Sequence, residues 1–211
     1  MLRVFEAFAG IGCQRLALDR TGIDYKLVGI CEIDKYAIRS YEALHGSVNN
    51  IGDISKIKKE DIPKHDLLIY SFPCQDISVA GHQASLDEGS GTRSSLLWEC
   101  KKIIEACKPK YLILENVKNL VSNRHKHNFD KWLEYLEGLG YTNYWKILDA
   151  KDYDLPQSRQ RVFAISILGD HKHYEFPNPL QLTKTIFDVL EKDIPSKYYL
   201  SQTAINKMKK Y

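Results

Sequence analysis

Four short, almost continuously apolar runs alternate with longer amphipathic stretches, and this rhythm restricts the chain's fold more than any other feature. The runs occupy residues 2–8, 26–31, 66–70 and 111–114. A half-exposed strand alternates polar and apolar side chains, so unbroken runs of this kind point to parallel strands covered by helices on both faces. Between them the period changes. Leu96/Leu97, Cys100, Ile103/Ile104 and Cys107 recur at helical spacing and line one face, and Phe129, Trp132/Leu133 and Leu136 do the same further on. A strand–helix–strand–helix rhythm predicts a doubly wound α/β sheet. Residues 161–168 read as one more buried strand. The rhythm stops near Gly169, where Phe176-Pro177-Asn178-Pro179 reads as a loop. Two short helical segments are expected around 184–191 and 202–209. The expected layout is therefore a domain over 1–168, followed by a loop and short helical tail over 169–211.

Composition narrows the class without naming a partner. A chain of 211 residues is long enough for one domain with a sizeable core. Thirty Lys and Arg against 27 Asp and Glu leave a net charge of +3, with the two signs interspersed, so charge alone does not mark a nucleic-acid surface. The five cysteines form no CxxC pair, which reads as reduced thiols and no metal site. The first residues lack the basic-then-apolar layout of a leader, and no apolar run approaches the roughly 20 residues of a membrane helix. A cytoplasmic protein is expected, nucleoid-associated if bacterial.

In a doubly wound sheet, ligands bind at the C-terminal ends of the strands, and every chemically suggestive cluster here falls at such an end. The first run leads into Phe8-Ala9-Gly10-Ile11-Gly12, where glycines let a ligand approach the backbone ahead of a helix. By itself that is equally a tight strand-to-helix turn, and it departs from the GxGxxG of pyrophosphate-binding loops. Glu32 closes the second run, placed to accept from ribose hydroxyls. Asp53, in Gly52-Asp53-Ile54, is placed to accept from an adenine amino group. Together the three fit an adenosyl ligand without phosphates, of which S-adenosylmethionine is the example.

The third run delivers Ser71-Phe72-Pro73-Cys74-Gln75 into a polar stretch from Asp76 to Arg93. A loop of that length inside a compact domain is usually functional. A lone cysteine most often packs in a core, but a strand end beside a long loop is the wrong place for that. The fourth run delivers Glu115-Asn116-Val117, near Cys74 if the two strands are neighbours. Arg159 and Arg161 precede the last strand and would share a side in an extended segment; a surface salt-bridge pair explains them equally well.

Phe8-Ala9-Gly10-Ile11-Gly12, Pro73-Cys74-Gln75, Glu115-Asn116-Val117 and Gln157-x-Arg159-x-Arg161 resemble, in order and spacing, the motifs of the cytosine-C5 DNA methyltransferases. The resemblance runs from residue 2 to about 168. It implies a Rossmann-like domain of the S-adenosylmethionine-dependent methyltransferase type and a cytosine flipped out of duplex DNA. By position, Cys74 attacks cytosine C6, Glu115 acts at N3, and Arg161, with Arg159, anchors the adduct or the thiol loop. Phe8, Gly10, Ile11, Gly12, Glu32, Ile33, Asp53, Ile54, Pro73 and Leu96 match the cofactor pocket. Pro73, Gln75, Asn116 and Gln157 fall on the substrate side.

The resemblance also exposes a departure. The family continues into a target-recognition domain and a further motif with an Asn-Ser pair, and neither is visible. Two explanations stand: a split enzyme whose second polypeptide supplies recognition, or a truncation. The split reading expects an apolar docking surface on the tail, with Ile186, Val189 and Leu190 available, although packing back on the sheet is the commoner fate of such side chains. Methylation of cytosine in tRNA, a noncatalytic S-adenosylmethionine-binding subunit, and a nicotinamide-dependent oxidoreductase are the alternatives. The last leaves Cys74, Glu115 and the arginines without roles.

Overall fold

The computed structural model describes residues 1–78 and 85–209, so the middle of the expected loop, 79–84, and the last two residues lie outside it. The described chain divides into two compact units.

The first unit, Met1–Asp149 with Gln160–Asn178, is built on a six-stranded sheet. Its strands are β1 (Leu2–Ala7), β2 (Tyr25–Cys31), β3 (Leu67–Tyr70), β4 (Tyr111–Val117), β5 (Tyr141–Asp149) and β6 (Gln160–Leu168). Their order across the sheet is β2-β1-β3-β4-β6-β5. The first four pair in parallel, as their unbroken apolar runs require, and all four residues of β3 are buried. The sheet is α/β and Rossmann-like. β6 runs antiparallel to both β4 and β5.

Sequence reading gave no strand over Tyr141–Asp149. The reason is positional: β5 is an edge with one neighbour, and Thr142, Trp145 and Lys146 face outward, so it shows no apolar run.

Four helices belong to this unit: α1 (Cys13–Thr21), α2 (Lys35–His45), α3 (Cys100–Cys107) and α4 (Lys126–Gly138). The helical face read across 94–107 is present in two pieces, a 3-10 turn at Ser94–Leu97 and then α3. Leu97, Cys100, Ile103 and Ile104 are fully buried, while Leu96 and Cys107 are half-buried against the same core. On α4, Phe129, Trp132 and Leu136 are fully buried. Trp132 packs edge-on against Trp98, and its indole N–H donates to the Tyr70 hydroxyl at 3.0 Å. Truncating such a residue to Ala costs about 3–5 kcal/mol, so Trp132 ties α4 firmly to the Tyr70 end of β3.

The second unit is Ala150–Arg159 with Pro179–Tyr211. Its organising side chain is Asp154, whose Oδ1 accepts from Thr183 N–H at 2.7 Å and Oγ1 at 2.9 Å, while Oδ2 pairs with Lys184 at 3.1 Å. Of the two tail helices expected, the second exists as α5 (Gln202–Met208), started by the Ser201 hydroxyl. The first is only a 3-10 turn, Ile186–Asp188, held by a reciprocal Thr185–Asp188 cap. A capped turn propagates only if it has a face to bury, and here Ile186, Phe187, Val189 and Leu190 are each more than half exposed. The packing expected of Ile186, Val189 and Leu190 is thus not what is seen. Among the described residues, no helix is long and apolar enough to cross a membrane.

Candidate active site

The turn after β1 is shaped by three positive φ angles, Phe8 at 58°, Gly10 at 56° and Gly12 at 79°. Phe8 tolerates it without being glycine, which is uncommon for a bulky residue and typical of sites held by their surroundings. The two glycines serve different ends. A Cβ on Gly12 would lie 2.6 Å from His45 Nε2 and 2.7 Å from Tyr41 Cε2, so Gly12 is where α2 presses on the turn. A Cβ on Gly10 would meet nothing within 4 Å. Gly10 therefore borders open space, the condition for a ligand passing close to the backbone.

Beneath the turn, Tyr41 donates to the buried Glu6 carboxyl at 2.6 Å. Burial raises the Glu6 pKa above its ordinary value, opposed by the Tyr41 hydrogen bond and the Arg15 charge. His45 Nε2 lies 3.1 Å from the Gly12 carbonyl.

β1 and β2 are neighbours, which brings Glu32 to this turn. Its carboxylate accepts from the N–H groups of Gly10, Ile33 and Asp34, each at 2.8 Å. A carboxylate has about four acceptor positions, so Glu32 both fixes the Gly10 turn and keeps capacity for one more donor. The element carrying Asp53 is a single bridge, Ile30 to Asn50, rather than a strand. Asp53 lies just beyond, its pKa lowered by the Ser55 hydroxyl and amide. Ile54 is buried in the core, whereas Ile11 and Ile33 are 45% and 62% exposed.

These residues fit an S-adenosylmethionine molecule on the chemistry of the set. Phe8–Gly12 carry no cation to hold a phosphate, two carboxylates stand where hydroxyls and amines need acceptors, and two isoleucines lie uncovered beside an open glycine.

At the other strand ends, β3 and β4 are adjacent and in register, Tyr70 opposite Leu114. The strand that leads to Cys74 and the strand that bears Glu115 are therefore neighbours, which is the premise on which the nearness of the two side chains was expected. Glu115 Oε1 pairs with Arg161 Nε at 3.0 Å, both about a quarter exposed or less. That contact crosses the antiparallel β4–β6 ladder, in which Arg161 stands opposite Val117.

Of the five thiols, burial pushes Cys31 up to about 12 and raises Cys100 and Cys107. Cys13 is exposed on α1. Cys74 and Cys107 are both half-buried against the core, and of the two it is Cys74 that follows the C-terminal end of a strand, β3. Asn116 is buried, donating to the Phe72 carbonyl at 2.9 Å and accepting from Val117 N–H at 2.8 Å. Pro73 and Gln75 flank the thiol, and Leu96 packs on the core from the Ser94–Leu97 turn. Gln157 and Arg159 belong to the second unit, where the Arg159 carbonyl accepts from Ala150 N–H at 3.1 Å.

Several residues at this site escaped the sequence reading because they are single polar side chains without a motif. Asn50 accepts from Glu32 N–H at 3.1 Å and Gly52 N–H at 3.0 Å, and donates to the Glu32 carbonyl at 2.9 Å, tying Glu32 to the Asp53 turn. Gln14 donates to Ser71 at 3.1 Å, joining α1 to the end of β3. Asp76, Ser94 and Asn119 surround the Cys74 strap.

Comparison with known proteins agrees with this geometry. The model of the C-5 cytosine-specific DNA methylase family matches residues 2–211. Type II methyltransferase M2.ScrFI of Lactococcus lactis subsp. cremoris is 44% identical over 98% of this chain and 72% of its own length. Type II methyltransferases M.SsoII of Shigella sonnei and M.NlaX of Neisseria lactamica are 38% and 36% identical, with 54% and 63% of their lengths covered. The chain thus spans between about half and three quarters of these relatives. Among solved structures, S. pombe Dnmt2 methyltransferase superposes over all of this chain and 67% of its own, with TM-score 0.79 at 24% identity. Entamoeba histolytica methyltransferase EhMeth gives 0.82 at 21% identity, over 99% of this chain and 66% of its own. At that identity the likeness is one of fold.

Proposed function

This chain belongs to the C-5 cytosine-specific DNA methylase family, and on that premise we propose that it carries the catalytic part of an enzyme methylating C5 of cytosine in duplex DNA. The observation that carries the proposal is that β3, which leads to Cys74, and β4, which bears Glu115, are adjacent and in register, with Arg161 on the Glu115 carboxylate.

Cytosine C5 is a poor nucleophile, and addition at C6 makes it a better one. In the proposed reaction the Cys74 thiolate forms the bond to C6. Glu115 holds a proton at N3, where the electron density displaced by that addition collects. Arg161, bound to Oε1, keeps the carboxyl turned towards the base. S-adenosylmethionine, when bound, supplies an electrophilic methyl group. Gly10, Ile11 and Ile33 line its approach, and Glu32 and Asp53 accept from its hydroxyls and amine. Loss of the C5 proton then lets the Cys74–C6 bond break and restores the thiolate. Pro73 borders both ligands, Gln75 and Gln157 contact the target strand, and Arg159 supports the loop side.

We further propose that base reading is supplied by polypeptide outside these residues, which the greater length of the relatives supports, and that this polypeptide is a second chain. The test is methyl transfer from labelled S-adenosylmethionine to duplex DNA and, in parallel, to tRNA, with and without a co-encoded second polypeptide. DNA labelling only with the second polypeptide is the expected result. Robust labelling by the chain alone overturns the partner requirement, and labelling of tRNA alone overturns the substrate.

A further inference from the structure

Four backbone carbonyls in the stretch around Cys74, those of Phe72, Pro73, Cys74 and Ile77, each accept a hydrogen bond. Asn116 donates to Phe72 O at 2.9 Å, and Ser94 Oγ to Pro73 O at 2.7 Å. Ile77 and Ser78 N–H groups donate to Cys74 O at 3.1 and 2.8 Å, and Asn119 Nδ2 donates to Ile77 O. Ser94 does more than its neighbours. It is fully buried, and its own N–H donates to Asp76 Oδ2 at 2.9 Å, with Asp76 itself only 9% exposed. One residue therefore grips the strap on both sides of the thiol, at the carbonyl before it and at the carboxylate two residues after it.

The donors come from separate places. Ser94 opens the 3-10 turn leading to α3, and Asn119 lies in the 3-10 turn Lys118–Val121 after β4. The returning limb of the loop is tied down independently: Trp98 Nε1 donates to Leu86 O at 2.9 Å, and Asn128 to Asp87 at 2.9 Å. The Ser94 bonds to Pro73 and Asp76 are therefore additional to those of the limb, and they fall on the strap itself.

We propose that Ser94 and Asn119 are positioning residues that clasp the strap carrying Cys74 and set the direction of its thiol, touching no substrate themselves. The proposal rests on the reading of Cys74 as the nucleophile. Removing the Ser94 hydroxyl leaves a part-buried carbonyl without this donor, a penalty the strap can relieve by moving. A shift of about 1 Å in a reacting atom is enough to slow a reaction roughly a hundredfold.

The test uses the full chain and two readouts. Site-resolved alkylation by iodoacetamide follows Cys74 in S94A and N119D, with exposed Cys13 and buried Cys100 as references. Where the wild type methylates DNA, single-turnover methyl transfer is measured on the same variants, together with cofactor affinity. The expected result is an alkylation rate at Cys74 changed about tenfold or more, with Cys100 still protected. Single-turnover transfer should fall between roughly ten- and a hundredfold at unchanged cofactor affinity. If Cys74 alkylates as in the wild type while Cys100 stays protected, the clasp does not position the thiol. Exposure of Cys100 in S94A would mean general unfolding and would likewise refute it unless N119D shifts Cys74 alone. A wild type that methylates nothing, with or without a partner, overturns the functional reading and leaves the alkylation result to decide the clasp.

Discussion

Gly10 and Gly12 lie two residues apart with similar φ angles, yet the structure predicts opposite phenotypes for the same substitution. An Ala at Gly12 must hold a left-handed conformation, at about 1–2 kcal/mol. Its methyl must also enter space filled by Tyr41 and His45, at 2.6–2.8 Å. Neither ring yields easily, since Tyr41 is fully buried with its hydroxyl on Glu6 and His45 is bonded to the Gly12 carbonyl. Overpacking of this kind adds about 1–3 kcal/mol, giving a total of roughly 2–5 kcal/mol. At about 2–4 °C per kcal/mol for a chain of this size, Tm should drop by on the order of 10 °C. An Ala at Gly10 carries only the conformational cost, about 1–2 kcal/mol, because its methyl meets no protein atom within 4 Å. That methyl would instead occupy the path assigned to the cofactor, weakening it about ten- to a hundredfold, or 1.4 kcal/mol per tenfold. Calorimetric melting and titration with S-adenosylmethionine separate the two effects. Equal melting losses, or a Gly10→Ala variant that binds the cofactor as the wild type does, would refute this division of labour.

Cys74→Ser should abolish methyl transfer while leaving cofactor affinity unchanged, since the thiol adds to the base and not to the donor; unaltered turnover would sink the covalent route. Glu115→Gln should slow single-turnover transfer by about 10²–10⁴, with DNA binding preserved in a gel-shift titration. Glu6 has its folded pKa raised above the ordinary 4.5 by burial, so its contribution to stability is full below that value and fades as pH rises through the folded one. Melting curves should therefore show Glu6→Gln gaining on the wild type as pH increases, and parallel curves would contradict a buried, proton-holding carboxyl. Asp66 behaves oppositely. Hydrogen bonds from the Arg3 side chain and backbone hold it at about 2, so its stabilisation is present above the ordinary 3.8 and lost as pH falls towards 2. With both partners substantially exposed the pair is largely screened by solvent, so the effect is small in size, and Asp66→Asn should flatten that acid limb.

The parallel half of the sheet was legible because burial on both faces forces unbroken apolar runs, as in Leu67–Tyr70, whose four residues are all buried. The same logic hid β5, which pairs on one side only and keeps Trp145 and Lys146 outward. The motif-bearing residues Cys74, Glu115, Gly10 and Glu32 could be singled out because each follows an apolar run, and the end of such a run is a place the sequence marks twice, by the run and by the break. Ser94, Asn119 and Asn50 were not. Each acts through a side-chain bond to a distant carbonyl or amide, and Ser94 reaches Pro73 across 21 residues. Nothing in a one-residue polar position announces which carbonyl it will meet. The tail failed differently: Ile186, Val189 and Leu190 have helical spacing, but spacing makes a helix only when something covers the face it creates.

Asp149 and Gln160 stand directly opposite one another at the end of the β5–β6 ladder, and Ala150 and Arg159 add one more bond beyond them. The ten residues between therefore leave the sheet and return to it at a single point. Such an excursion is a cassette: it can be lengthened, exchanged between relatives or cut out and bridged by a tight turn without moving the register of either strand. Gln157 and Arg159 ride on that cassette while Arg161 is stitched into the sheet. Arg161 is thus held twice, by the ladder and by the Glu115 carboxylate, whereas Arg159 belongs to the excursion and not to the sheet.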